Sequence, residues 1–401
     1  MSQLCSYGSY FIVVLQCLYQ PLASMEGGPG HVSVVVSTPF TLTLKVSALN
    51  GSSVLCGFVF IIGTSVMLAF NAMQRKGVPR LQLLRKMTWR TVVLMLIGFC
   101  FINYSPRDGL YLNLALITLI RCELVKGSRN ASRCLKYEEL EYQIHWWSPV
   151  QDVLLYWPEW LFILLLEVMW LCVTFLLPVP NCPTGYLGAG GIGDNGLYPN
   201  CTGGAAAYVD RWLLGDNIYW YPTCKAMYHT TQPFDPEGIL GTINSVVMGF
   251  IGMQAGKIFL FFRKRNYSIM IRFMVWAIIL GILAAILSKC TRDEGFIPVN
   301  KNLWSLSYVA CMGCTSFVLL GVMYFAVDIK EWWGGQPFIY LGMNSILVYV
   351  GHSLLGFYFP FSWEMRYQDS HWEKLIQSLW GTVLWLFIAY LLYCKRFFLK
   401  I

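Results

Sequence analysis

Residues 181–211 read NCPTGYLGAGGIGDNGLYPNCTGGAAAYVDR, and this stretch decides the fold. Inside it, Gly188, Gly190 and Gly193 spell GxGxxG, the fingerprint of a dinucleotide-binding turn. That fingerprint works only between a strand and a helix, where the helix N-terminus meets a pyrophosphate. Here Pro178, Pro180 and Pro183 precede the glycines, and Asn195-Gly196 and Pro199 follow them. This is turn chemistry, so the match is accidental and a Rossmann enzyme is excluded. The stretch is a glycine-rich loop between two long apolar runs.

Those runs set the class. Of 401 residues 56% are hydrophobic and only 12% charged, half the charge of an ordinary soluble domain. The apolar residues cluster in segments near the length of a membrane span. They lie at 54–71, 90–104, 110–120, 157–179, 239–262, 270–288, 304–327, 337–358 and 376–394, and a shorter run lies at 8–23. Both a signal-peptide core and a poor first helix fit the run at 8–23. The expected fold is an all-α polytopic transmembrane bundle of about nine spans, because lipid cannot satisfy an open backbone. Residues 1–52 form a divergent N-terminal segment and 53–401 the bundle, with the glycine-rich loop at 180–237.

Basic residues orient the bundle. Arg75, Lys76, Arg80, Arg85, Lys86 and Arg90 crowd one loop, Arg263, Lys264 and Arg265 another, and Lys395, Arg396 and Lys400 the C-terminal tail. With all three on the cytoplasmic side the spans alternate, and 180–237, 289–303 and 359–375 fall on the far side. The net charge of +8 therefore reports topology and not nucleic-acid binding. On the far side Asn200-Cys201-Thr202 is a glycosylation sequon. Cys182 and Cys201 bracket the glycines, and a disulfide and two free thiols both fit. The other cysteines show no metal spacing; Cys311 and Cys314 lie in an apolar helix.

Four further segments follow one another in a familiar order: residues 180–216, then FDPEGILGTINSVVMGFIGMQAGK (234–257), EGFIPVNKNLWSLSYV (294–309) and GMNSILVYVGH (342–352). This succession resembles the heparan-α-glucosaminide N-acetyltransferase family and its bacterial relatives, over about 57–104 and 150 to the C-terminus. The resemblance implies a multi-pass lysosomal membrane enzyme with a cytoplasmic C-terminus. It implies that cytosolic acetyl-CoA acetylates the terminal glucosamine of heparan sulfate in the lumen, without a metal, by an acetyl-histidine relay or by direct transfer. The family carries its essential histidine just before the span matching FVFIIGTSVMLAF (58–70). Residues 37–57 hold none, and His31, the nearest, stands in an unrelated context. Residues 107–133 also depart from the family pattern.

Acyl transfer to an amine needs a base, a thioester held in line and donors for the oxyanion. Histidine, with a pKa of about 6.5, suits that base. His352 stands eight residues after Asn344 on one face of the span 337–358, with positions 344, 348 and 352 at i, i+4 spacing, as a site or as a helix–helix hydrogen-bond pair. His229 and Asp235 in the loop, Asn244 in a span, and Asn302 with Trp304 at a span's start are candidate sugar contacts. A helix cap around Asp235 and an interfacial anchor at Trp304 are the alternatives. Glu167 is a carboxylate in mid-span, and such groups mark sites by default. Arg75, Lys76 and Arg85 offer cations to the coenzyme's phosphates, or serve topology alone. The partners expected are lipid, acetyl-CoA and a heparan sulfate end, with a homo-oligomer left open; a transporter and a non-catalytic relative are the competing functions.

Overall fold

The computed structural model describes residues 51–75, most of 151–364 and 371–398, and a few positions between 81 and 93. The described residues are helical, with no strand among them. The helices are α1 (Gly51–Arg75), α2 (Gln151–Leu154), α3 (Trp157–Leu176), α4 (Gly204–Leu214) and α5 (Ile239–Phe261). They continue as α6 (Asn266–Ser288), α7 (Leu306–Tyr324), α8 (Phe338–Met343), α9 (Ser345–Leu355) and α10 (His371–Cys394).

Five helical stretches are long and apolar enough to cross a membrane: Trp157–Leu176, Ile239–Phe261, Asn266–Ser288, Leu306–Ile329 and Leu375–Cys394. They coincide with five of the runs read from the sequence. The run at 54–71 lies inside α1. The runs at 8–23 and 110–120, and nearly all of 90–104, lie outside the described residues.

α5 is the centre. Buried along nearly its whole length, it packs most extensively against α1. Glycine makes that approach possible. A Cβ at Gly252 would collide with the Phe60 carbonyl, and one at Gly63 with the Gly249 carbonyl. Small residues let helix backbones meet in a membrane, where burial gives no hydrophobic gain over lipid. Thr64 Oγ1 adds a hydrogen bond to the Gly252 carbonyl at 2.9 Å. α6 and α7 pair on another side, and Phe60, Phe259, Phe273 and Phe317 interlock between the helices. α3, α6 and α10 turn rows of Leu, Ile, Val and Phe outward, as lipid-facing helices do.

One expectation is corrected. The run 337–358 is not one helix. The backbone leaves the helical region at Asn344 (φ −125°, ψ 35°), dividing α8 from α9. The Asn344 side chain donates to the Phe397 carbonyl at 2.9 Å, a tie to the chain just beyond α10. α8, α9 and α10 share a small core of Leu341, Val348, Trp385 and Ala389.

Candidate functional site

The described residues hold two polar regions, one at each end of α5. The first is built on the glycine-rich loop. Cys182 and Cys201 are joined by a disulfide. The Gly191 N–H donates to the Pro199 carbonyl at 2.9 Å and the Ile192 N–H to the Tyr228 carbonyl at 2.8 Å. Gly190, Gly191, Gly203 and Gly204 all have positive φ, which a side chain rarely tolerates. At Gly204 a Cβ would also strike the Tyr186 carbonyl. The fingerprint glycines thus make a tight turn, followed by a four-residue 3₁₀ turn (Gly193–Gly196) and not by the helix a nucleotide needs.

α4 follows, and its Asp210 is 1% exposed. Asp210 Oδ1 accepts the Ile239 N–H at 2.9 Å, so a residue of α4 caps the first turn of α5. Gly238 precedes that turn because a side chain there would collide with the Asp210 carboxylate. Burial pushes the Asp210 carboxyl up to about 6; the Ile239 N–H opposes the shift and nearby Asp235 adds to it. Arg211 is lowered, first by burial, and its guanidinium donates to the Pro233 carbonyl at 3.3 Å. The cap expected within the segment from Asp235 therefore comes from a residue 29 positions before the helix. Nothing in the sequence around Asp210 signals this role.

Asn244, fully buried two turns into α5, donates to the Trp304 carbonyl, while its own Oδ1 has no hydrogen-bond partner. Trp304 is buried and held at φ 47°, a left-handed backbone rare for a bulky residue. Its ring meets Tyr308 edge-on at 5.9 Å. The half-buried Asn302 donates its N–H to Asn300 Oδ1 at 2.9 Å, and Asn300 Nδ2 reaches the Leu187 carbonyl of the glycine-rich loop at 3.4 Å. Asn244, Asn302 and Trp304 thus belong to one hydrogen-bonded unit with the loop. Buried Asp235 joins the start of α5 through the Gly238 N–H, which donates to its carbonyl at 3.2 Å. His229 is exposed at φ 49°, next to Thr230, whose buried hydroxyl has no partner. Asn200 is exposed and accepts from the Thr231 hydroxyl at 3.0 Å.

His352 and Asn344 do not form the pair expected of them. Asn344 is bonded to Phe397, and His352 lies half-buried in the last turn of α9. Among the described residues no hydrogen bond links His352 to the Asn244–Trp304 unit. Of the expected coenzyme contacts, Arg75 ends α1, Arg85 is exposed, and Lys76 lies outside the described residues.

The second region, at the other end of α5, is one the sequence reading missed. Lys257, 1% exposed, bonds Glu159 Oε2 at 2.6 Å and sits 3.7 Å from the centre of the Tyr156 ring. Arg272 bonds Asp152 Oδ1 at 2.9 Å, and Gln254 Nε2 donates to Asp152 Oδ2 at 2.9 Å. Burial raises the Asp152 carboxyl, with Arg272 pulling the other way. Buried charges persist only when paired and hydrogen-bonded, and this network meets both conditions. The available signal was Gln254 and Lys257, one turn apart in an apolar run, with Asp152 just before another and Glu159 in its first turn. Among the described residues no group of His, Cys, Asp and Glu is arranged to hold a metal ion.

No protein-family model matches the chain. It is 46% identical over 359 residues to heparan-alpha-glucosaminide N-acetyltransferase of Mus musculus, covering 86% of this chain and 54% of that protein. It is 47% identical over 364 residues to the Homo sapiens protein of the same name, covering 86% of this chain and 53% of that protein. The chain spans about half the length of these curated relatives.

Proposed function

We propose that this chain, which belongs to the heparan-alpha-glucosaminide N-acetyltransferase family, moves an acetyl group across the lysosomal membrane. The donor is acetyl-CoA on the basic, cytoplasmic face, and the acceptor is the terminal glucosamine of heparan sulfate on the face of the glycine-rich loop. The observation that carries this reading is the identity of 46% and 47% over 86% of the chain.

The residues supply compatible chemistry. The unpartnered Asn244 carbonyl, with Asn302, Trp304, Asp235 and His229 around the loop, offers acceptors and an aromatic surface to an amino sugar. Arg75, Lys76 and Arg85 offer cations to the coenzyme's phosphates. His352 is the candidate base, and Asn344 acts through position, since its amide is already bonded to Phe397. The proposed topology puts Asn200 in the lumen, where its sequon is open to a glycan.

The test is transfer of labelled acetyl from acetyl-CoA to a glucosamine acceptor by membranes carrying this chain. A second version has the histidine-bearing segment of the mouse relative grafted before residue 58. Transfer by the chain as it stands, above empty membranes, supports the reading; none by either version overturns it. A second reading, a family member without transferase activity, is favoured by one observation: residues 37–57 hold no histidine. Activity confined to the grafted version selects it.

A further inference from the structure

Glu167 stands eleventh among the twenty residues of α3, halfway along the span. It is 8% exposed, and neither carboxyl oxygen has a hydrogen-bond partner among the described residues. An ionisable group at that depth is expensive to keep and marks function by default. A second observation turns the residue into part of a path. Trp160 and Thr174 lie seven positions before and after it, on the same buried face of α3. Trp160 Nε1 and Thr174 Oγ1 are also buried without a partner. Seven residues are about two helical turns, so these three groups mark steps of about 10 Å through the membrane.

That face lies against α5. The Trp160 ring meets Phe250 at 4.8 Å, and Trp170 packs with Leu240 and Ile243. α5 contributes two more unpartnered buried oxygens, Gln254 Oε1 toward one end and Asn244 Oδ1 toward the other. The charged groups on the elements packed against α3 are engaged elsewhere. Lys257 bonds Glu159, Arg272 bonds Asp152, Asp210 caps Ile239 and Arg211 bonds Pro233. None of these bonds involves Glu167. Buried polar atoms normally find partners, so unpaired ones spaced along one buried helix face, with two more across the seam on the helix packed beside it, call for water or a moving proton to satisfy them.

We infer that Glu167 is the proton-carrying carboxyl of this seam, serving the acetyl transfer proposed above, on which the inference rests. The acceptor's ammonium passes one proton along the seam to the Glu167 carboxylate. The freed amine attacks the thioester carbonyl, the C–N bond forms, the C–S bond breaks, and the coenzyme leaves as a thiolate. Glu167 gives its proton to that sulfur. The second amine proton leaves to His352, the candidate base named above, and from it to the aqueous side as the amide forms. Ammonium and thioester thus yield amide, thiol and one released proton.

The test uses the full chain in membranes, in the version that transfers acetyl, as wild type, Glu167→Gln and Glu167→Asp, scored per folded protein. Dicyclohexylcarbodiimide, which reacts with carboxyls inside the membrane, reads the group directly. The expected result is modification of Glu167, absent in E167Q. With it, kcat falls on the order of 100-fold in E167Q while the KM for acetyl-CoA stays within about threefold. E167D recovers part of the rate with a displaced pH–rate profile, and carries the test should E167Q not fold. A wild-type rate and pH profile in E167Q, or a raised KM with unchanged kcat, overturns the inference. If neither version of the wild type transfers acetyl, the transfer reading fails and carbodiimide labelling alone decides: labelled Glu167 keeps the mid-membrane proton site, and unlabelled Glu167 removes it.

Discussion

Asp210 shows how one side chain sets the behaviour of a whole end of the molecule. Its carboxyl rises from an ordinary value of 3.8 to about 6 in the fold, chiefly through burial. The folded state therefore holds a proton that the unfolded chain releases between those values. The contribution to stability is fully present below pH 3.8 and is lost as pH rises through about 6. The size is on the order of 2–3 kcal/mol. The thermal midpoint in detergent is expected to be higher at pH 4.5 than at pH 7.5, and Asp210→Asn, which keeps the cap and removes the charge, is expected to flatten that difference. Gly252 makes a steric case at the same scale. Gly252→Val drives a side chain into the Phe60 carbonyl, and overpacking of this kind costs about 1–3 kcal/mol or more. Loss of the folded peak in size-exclusion chromatography checks it. At this scale the sequence was readable where a residue is out of place by type: Asn244 and Glu167 were noticed because a span should not contain them. It was silent where a residue is ordinary and its neighbour is not, as with Gly252 and Asp210.

Between helices, the network around Lys257 holds α2 and α3 to α5 and α6. Removing one partner of a buried pair leaves a charge without compensation, at a cost of about 3–5 kcal/mol, while replacing both is often neutral. Lys257→Met is therefore expected to lower the thermal midpoint more than the double variant Lys257→Met/Glu159→Leu does. Equal losses in the two would sink the argument. The elements themselves were legible, because an apolar run of twenty residues leaves a chain in lipid no other choice. Their joints were not. The Asn344 side chain bonds Phe397, 53 residues away, and the Lys257–Glu159 and Arg272–Asp152 bonds span 98 and 120 residues. Periodicity carries no information about partners at such distances.

Across the molecule, α5 is the shared wall: the Asn244–Trp304 unit stands at one end and the Lys257 network at the other. The proposed orientation of that axis has a direct check. Asn200 is expected to carry a glycan, and Asn266, whose Asn266-Tyr267-Ser268 sequon follows the basic Arg263–Arg265 loop on the opposite side, none. A glycosidase-sensitive mobility shift that shrinks in Asn200→Gln and is unchanged in Asn266→Gln reads both. A shift lost instead in Asn266→Gln would invert the whole arrangement. The family order of the motifs was legible because their residues are long-range landmarks, such as the glycine turn and the PVNKNLW segment. How His352 relates to the loop was not, since helix spacing put it on one face with Asn344 and carried nothing about what either side chain meets.

The loop itself imposes an order of events on the chain's biogenesis. The middle residue of the Asn200 sequon is Cys201, tied to Cys182, and its third residue, Thr202, is 1% exposed. A glycosylating enzyme must grip all three positions in an open, extended form, which the finished loop does not offer. Any sugar on Asn200 was therefore attached before the sulfurs joined, and the fraction of chains that carry it measures a race between the two modifications.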